Sequence, residues 1–367
     1  MYLDNAATTK LSKDVKDYIV SILDDYGNPS SQYSLGDKAR QIIEQARKNI
    51  AKFINANPND IIFTSGGSAS NSLAVRGYYE RNNCNILYQP TCHKSILKCV
   101  EHIQKAYSLK VNSQGFIDIQ DLKEWLNTRE KYLVVIEYAN SELGTIQNVK
   151  EIIDLCHFYN AKVYVDCTGS VSQTPINVKQ LDTDMLGFSG HKIHALKGIG
   201  ILYKKSDIQL EPLIYGTQNN GLFAGTENIL GIASIGKAVE NYSYSSISSD
   251  NRDYVYNYIL KNIPDSYLIG TDSKHRLPHN LYMCFKGIQG ESLMILLDMD
   301  NVQISTGSAC SSGSPLPSST LVAIGVNSED IHSCVRFSFG GNETKQELDY
   351  VCQKLKKNVE TLRQLNK

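Results

Sequence analysis

No two of the nine cysteines stand at C-x-x-C spacing: Cys84, Cys92, Cys99, Cys156, Cys167, Cys284, Cys310, Cys334 and Cys352 are scattered along the chain. Neither a paired-cysteine zinc site nor a disulfide framework is expected from an odd, scattered set. Net charge is equally scarce, with 37 Lys and Arg against 38 Asp and Glu, a formal charge of -1. The chain therefore exerts no long-range pull on nucleic acid or an anionic membrane. No stretch approaches the roughly 20 apolar residues of a membrane-spanning helix. The opening Met1-Tyr2-Leu3-Asp4-Asn5 lacks the basic and apolar runs of a secretory leader. There is no internal repeat and no biased tail. These absences leave the expectation of a cytoplasmic globular protein that acts on a small molecule.

What is present is organised around Phe188-Ser189-Gly190-His191-Lys192. Lys162 to Asp166 reads as a β-branched strand ending in a carboxylate, and Asp184 to Phe188 as a second strand ending just before the lysine. An amine and a carboxylate then meet at one sheet edge. An amine there can hold a carbonyl cofactor as a Schiff base, and an aspartate can keep a pyridinium nitrogen protonated, which is the chemistry of pyridoxal 5'-phosphate. Taken alone, the same residues also suit a solvated lysine and a helix cap.

The rest of the chain supplies the context. Ala39, Ile42, Ile43, Ala46, Ile50 and Phe53 fall at helical spacing and predict a helix over 37–53, behind the turn Gly27-Asn28-Pro29-Ser30-Ser31. A strand over 60–63 runs into Thr64-Ser65-Gly66-Gly67-Ser68 and then a helix. Free N–H groups and hydroxyls at such a junction cradle phosphate. Strands are expected at 85–89 and 132–138, with helices at 95–107 and 117–128. This alternation argues for a mostly parallel, doubly wound sheet. Ser68, His93, Asn140, Asp166 and Lys192 would follow its carboxyl edge, where ligands bind in such sheets.

With 367 residues, two domains are expected: a large one over 1–245, and a smaller C-terminal α+β one over 246–367 that residues 1–15 are placed to join. In the second, helices are expected at 251–262, 291–298 and from Lys345, and strands near Tyr267 and at 280–285, 302–305 and 334–339. The small, polar run Asn5 to Thr9 is suited to line a site. A Gly/Ser/Pro-rich loop over 306–315 carries Cys310 at its centre.

In this order, the motifs resemble the class V, fold-type I pyridoxal phosphate enzymes, and in particular the cysteine desulfurases of the long-loop group. The resemblance spans nearly the whole chain, from Tyr2-Leu3-Asp4-Asn5-Ala6-Ala7-Thr8 through Asn140-Ser141-Glu142-Leu143-Gly144, Ser189-Gly190-His191-Lys192 and Gly225-Thr226 to Val335-Arg336-Phe337-Ser338. Gly307-Ser308-Ala309-Cys310 discriminates most, because related aminotransferases lack that cysteine. The resemblance implies that Lys192 forms the Schiff base, Asp166 pairs with the ring nitrogen and His93 stacks on the ring. Gly67, Ser68, Thr168, Ser189 and His191 would hold the cofactor, with Thr226 completing the site of a partner subunit in a homodimer. Asn140 would bond near the ring hydroxyl and the substrate, and Arg336 would clamp the substrate carboxylate. Cys310 would take sulfur from L-cysteine, leaving alanine, and pass it to an iron–sulfur scaffold or a thiolation enzyme.

Four positions depart from the pattern. Gly169 stands where Gln is usual, Phe223-Ala224 where Arg-Ser is usual, Ala69 for Glu and Tyr33 for His. The rival readings are a class V aminotransferase, a selenocysteine lyase, and a catalytically quiet paralogue within a sulfur-relay complex.

Overall fold

The computed structural model describes residues 1–244, 247–307 and 317–366. Its main sheet holds β1 (Ile61–Thr64), β2 (Asn85–Tyr88), β3 (Ala106–Ser108), β4 (Tyr132–Glu137), β5 (Lys162–Asp166), β6 (Met185–Ser189) and β7 (Gly200–Lys204). Their order is β1-β7-β6-β5-β4-β2-β3. The run from β3 to β6 is parallel, and β7 is antiparallel to both β6 and β1. Strands buried on both faces must be apolar throughout, as Leu133-Val134-Val135-Ile136 and Val163-Tyr164-Val165 are. Successive side chains point to opposite faces. Val134, Ile136, Val163 and Val165 accordingly join one core, and Leu133, Val135 and Tyr164 the other.

Eight helices belong to this part: α1 (Lys13–Ser21), α2 (Ser34–Ile54), α3 (Gly67–Asn82), α4 (Lys94–Val100), α5 (Ile119–Leu126), α6 (Val149–Phe158), α7 (Val178–Leu181) and α8 (Ile229–Glu240). The α2 stripe Ile43, Ala46, Ile50 and Ile54 packs in the first core with Ile232 and Ile235 of α8. A Cβ on Gly236 would stand 2.4 Å from the Ala46 Cβ, so this helix pair can approach only with glycine there. Leu73, Ala74 and Val75 of α3 cover the other face.

The second sheet is antiparallel, in the order β10 (Cys334–Ser338), β9 (Asn280–Phe285), β8 (Ser266–Leu268). It packs with α9 (Ile247–Asn262), α10 (Gly290–Met299) and α12 (Lys345–Leu365), while the short α11 (Ser319–Ala323) lies between. A capping box between Thr344 and Glu347 fixes the start of α12. Leu3 is buried in this second core, and Tyr2 and Asp4 bridge to Gln303 and Ser338. The first residues therefore cross from the second core toward the main sheet.

Several elements depart from the sequence reading. The helix expected over 95–107 stops at Val100, and Ala106–Ser108 is an edge strand paired in parallel with β2. Bonds from Ile86 N to Lys105 O (2.8 Å) and from Leu109 N to Tyr88 O (2.9 Å) claim that segment for the sheet. The strand expected over 302–305 is reduced to isolated bridges, because its partners are the N-terminal residues and Arg336 rather than a continuous neighbour. Helices α1 and α6 and the antiparallel sense of β7 were not anticipated.

Asp184, just ahead of β6, is fully buried and accepts bonds from His157 Nε2 (2.8 Å), Lys162 Nζ (3.0 Å) and Val163 N (2.9 Å). Burial alone would raise its pKa, but those donors outweigh it and hold the carboxyl below its usual value. A depressed carboxylate contributes stability above its unfolded pKa and loses it as pH falls through the folded one. Asp184→Ala should therefore lower unfolding stability at pH 7 by roughly 3 kcal/mol, the low end for removing one partner of a buried ion pair. In urea titrations the difference from wild type should shrink as pH drops below about 4.

Candidate active site

The carboxyl ends of β2, β4, β5 and β6 place the candidate residues. Asp166, the last residue of β5, is 2% exposed. Asn71 Nδ2 donates to its Oδ2 at 2.8 Å and the Thr168 backbone N–H to its Oδ1 at 2.8 Å. Asn71 is itself oriented by the Tyr164 hydroxyl, which donates to its Oδ1, and it donates to Ser95 Oγ at 2.9 Å. Lys192 ends a single 3-10 turn, Gly190–Lys192, directly after β6. Its Nζ donates to the carbonyls of Ala6 and, at 3.0 Å, Ala7. The N-terminal stretch thus lies against the lysine, as its small residues led us to expect.

His93, Asn140, Lys192 and Arg336 line one cavity together. His93 caps α4: the Ser95 backbone N–H donates to its Nδ1 at 3.1 Å, so Nδ1 is the acceptor nitrogen. Arg336, in the middle of β10, pairs with Asp4 (2.7 Å) and donates to the carbonyls of Ser141 (3.1 Å) and Gly307 (3.0 Å). Its Nε is buried without a partner. Asn140 does not present its amide to the cavity in the manner expected. Its Nδ2 donates to Thr91 O (2.7 Å) and Glu137 Oε2 (2.8 Å), and its Oδ1 accepts from the N–H groups of Glu142 and Leu143. The tight turn after β4 uses all of its hydrogen-bonding groups.

A second group forms a cradle. Gly66 caps α3 without a side chain, Ser68 follows on its exposed first turn, and Thr168 Oγ1 is buried without a partner. A Cβ on Gly67 would stand 3.0 Å from that Oγ1 and 3.4 Å from the Ser189 Cβ. The space that only glycine leaves, a bare hydroxyl and a helix N-terminus suit an anion of phosphate size. His191 stands beside it, with Nδ1 3.1 Å from Thr8 Oγ1. Burial first, and then the nearby Lys192, Lys197 and His93, push its pKa down to about 4, so the ring is neutral near pH 7.

Thr226 lies elsewhere. It is exposed and lines a separate cavity with Ser65, Gly198 and Phe223. Cys310 lies outside the described residues, but Gly307 before it and Ser318 after it both line the Lys192 cavity. Gly169 has a steric reason: a Cβ there would meet the Ala139 carbonyl at 2.8 Å and the Ser141 Cβ at 3.2 Å. The glycine lets the chain after β5 press against the chain after β4, and Gln would not fit without a backbone shift.

Sequence reasoning missed Asn71, Glu137 and Glu142. Glu142 is buried and accepts from Tyr282 and Ser318. Of the three, Glu137 left a trace, a charged residue closing an apolar strand.

The class of protein follows from this sheet and this edge. The model of the family described as aminotransferase class-V matches residues 1–351, and the chain belongs to that family. A cysteine desulfurase IscS from Dictyoglomus turgidum is 38% identical to it over 100% of this chain and 96% of its own length. Among solved structures, a NifS-like protein superposes with a TM-score of 0.91 at 28% identity, covering 99% of this chain and 100% of its own. Another, SspA in complex with cysteine, gives 0.82 at 28% identity over 94% and 99%.

A buried Thr168 Oγ1 that serves as a phosphate ligand should affect the cofactor-free and cofactor-bound proteins in opposite directions when it is removed. Thr168→Val should raise the stability of the cofactor-free protein by about 1 kcal/mol, since a buried unsatisfied hydroxyl is lost. It should also weaken cofactor binding roughly tenfold. Urea unfolding and cofactor titration check the two signs.

Proposed function

We propose that this protein is a pyridoxal 5'-phosphate-dependent cysteine desulfurase, converting L-cysteine to L-alanine and leaving the sulfur as a persulfide on Cys310. The observation that carries the reading is the meeting of Lys192, Asp166 and the Gly67, Thr168 and Ser189 cradle at one sheet edge. It is supported by full-length likeness to proteins named cysteine desulfurase and by a structural neighbour that holds cysteine.

The residues present fit the cofactor. Ser68, Thr168, Ser189 and the α3 N-terminus would hold its phosphate, Asp166 its ring nitrogen, and His93 its ring face. When bound, pyridoxal phosphate supplies an electron sink for the bonds around the substrate Cα. Asp166 is kept in place for that task by Asn71 and the Thr168 N–H. The Lys192 amine, at the edge of the same cavity as His93 and Arg336, would move the Cα proton. Arg336 has a planar fork and an unpartnered Nε for the substrate carboxylate, next to its bond with Asp4. The Cys310 thiolate would attack the substrate sulfur, forming the S–S bond of a persulfide as the Cβ–S bond breaks; its electron pair stays with the carbon, which is protonated to the methyl group of alanine.

Thr226, which lines a cavity other than the one that holds Lys192, serves the site of a second copy in a homodimer. The work divides between a cofactor-binding part, 1–245, and a part carrying the cysteine, 246–367. The eight described cysteines are free thiols, which suits the reducing cytoplasm. No described helix is long and apolar enough to cross a membrane. The acceptor is a protein thiol, on an iron–sulfur scaffold or an enzyme of tRNA thiolation.

Product analysis tests the reading: alanine from cysteine without a keto-acid partner is expected, and a requirement for a keto acid would make the protein an aminotransferase. Lys192→Ala should abolish turnover, and borohydride reduction of the wild type should fix the cofactor to Lys192, not Lys197. Cys310→Ala should keep the cofactor's visible band and its first change on adding cysteine, while sulfide release collapses. Full desulfurase activity in Cys310→Ala would remove the cysteine from the mechanism.

A further inference from the structure

Glu137 closes β4, a strand otherwise without charge, and it is buried. Its Cα is the register partner of Asp166 on β5, so two carboxyl groups share one interior edge. The carboxyl spans two loops. Oε1 accepts the His93 backbone N–H at 2.9 Å, and Oε2 accepts Asn140 Nδ2 at 2.8 Å. Behind it, Gln89 ties the strand to the same loops: its Oε1 accepts the Glu137 N–H (3.1 Å), and its Nε2 donates to Thr91 Oγ1 (2.7 Å). Thr91 O in turn accepts the other hydrogen of Asn140 Nδ2. Glu137 also lines the cavity that holds Lys192.

We propose that Glu137 is a positioning residue for the desulfurase reaction, a carboxyl that sets His93 and Asn140 in a fixed relation around the cavity they share with Lys192. This rests on the assignment of that cavity in the proposed function. The chemistry requires an acid rather than its amide. Both neighbours present N–H donors, and two acceptor oxygens meet both of them. A glutamine would turn one NH2 toward one of those donors and lose that bond. A methionine would lose both. The charged and titratable groups around it are Asp166 on β5, Glu142 on its own loop, Cys92 and His93 ahead of α4, and, lining the same cavity, Lys94, Lys192 and Arg336. Burial and then the Asp166 charge push the Glu137 carboxyl well above the usual carboxylate range. Because Glu137 and Asp166 are register partners on adjacent strands, a displacement at Glu137 is passed to Asp166, the group assigned to the cofactor's ring nitrogen.

The test compares wild type, Glu137→Gln and Glu137→Met in three measurements: affinity of the cofactor-free protein for pyridoxal phosphate, the pH midpoint of the bound cofactor's visible band, and kcat and KM for cysteine. In Glu137→Gln, cofactor affinity and kcat should each fall roughly tenfold and the pH midpoint should move, with larger effects in Glu137→Met. A merely structural carboxyl would lower the melting temperature and leave kcat, KM and pH midpoint unchanged. Wild-type kcat and pH midpoint in Glu137→Gln, which replaces a single atom, would overturn the proposal even if Glu137→Met fails to fold. If the wild type itself releases no alanine from cysteine, the proposed function fails instead, and the two failures are distinct.

Discussion

A carboxylate withdrawn from water survives only where donors meet it, and Asp166 imposes that condition on everything around it. Its two donors come from different places, Asn71 on α3 and the Thr168 backbone N–H. Holding Asn71 in turn engages Tyr164 on β5 and Ser95 at the start of α4. The helix that carries Asn71 begins at the glycine turn of the cradle, so the bond that orients Asp166 also fixes the α3 N-terminus beside Thr168 and Ser189. One buried charge thereby registers a ring-nitrogen partner against a phosphate cradle, a relation a phosphorylated pyridine needs.

The other half of the site depends on the first nine residues. Leu3 is packed in the core of the second sheet, Asp4 pairs with Arg336, Ala6 and Ala7 accept from Lys192, and Thr9 bonds the His191 carbonyl. This stretch joins the group assigned to the substrate carboxylate to the group assigned to the cofactor. Arg336 also reaches the loop after β4 through Ser141 O and the start of the cysteine-bearing segment through Gly307 O. The planar guanidinium fork fixes the directions of these three contacts, which the freely rotating ammonium of a lysine would not.

Much of this was legible in the sequence because burial on both faces leaves a plain mark. The strands ending at Asp166 and near Lys192 read directly from β-branched runs, and α2 from its 3.6-residue stripe. Arg336, Asn140, His93 and the Gly66-Gly67 turn could be placed from order and resemblance. What stayed hidden is set by pairing in three dimensions. The edge strand Ala106–Ser108 looks helical until β2 claims it, and 302–305 looks like a strand although its partner is the N-terminus. Asn71 looks like any helix asparagine, and nothing in one dimension shows that it meets Asp166. Asn140 was found but its geometry was not, since its turn consumes the amide.

Gly169 shows how a departure from a pattern acquires a physical meaning. Read from sequence it is a missing hydrogen bond, whereas in three dimensions it is the contact that brings Ala139 and Ser141 against the chain following Asp166. Sulfur transfer from cysteine to Cys310 is the function proposed for this arrangement. Its most direct test is peptide mass analysis after the wild-type protein, loaded with pyridoxal phosphate, has met cysteine without any acceptor. The account predicts the mass of added sulfur, removable by a thiol reductant, on the peptide that contains Cys310. An unmodified Cys310 accompanied by alanine production, or sulfur on another cysteine, would contradict it.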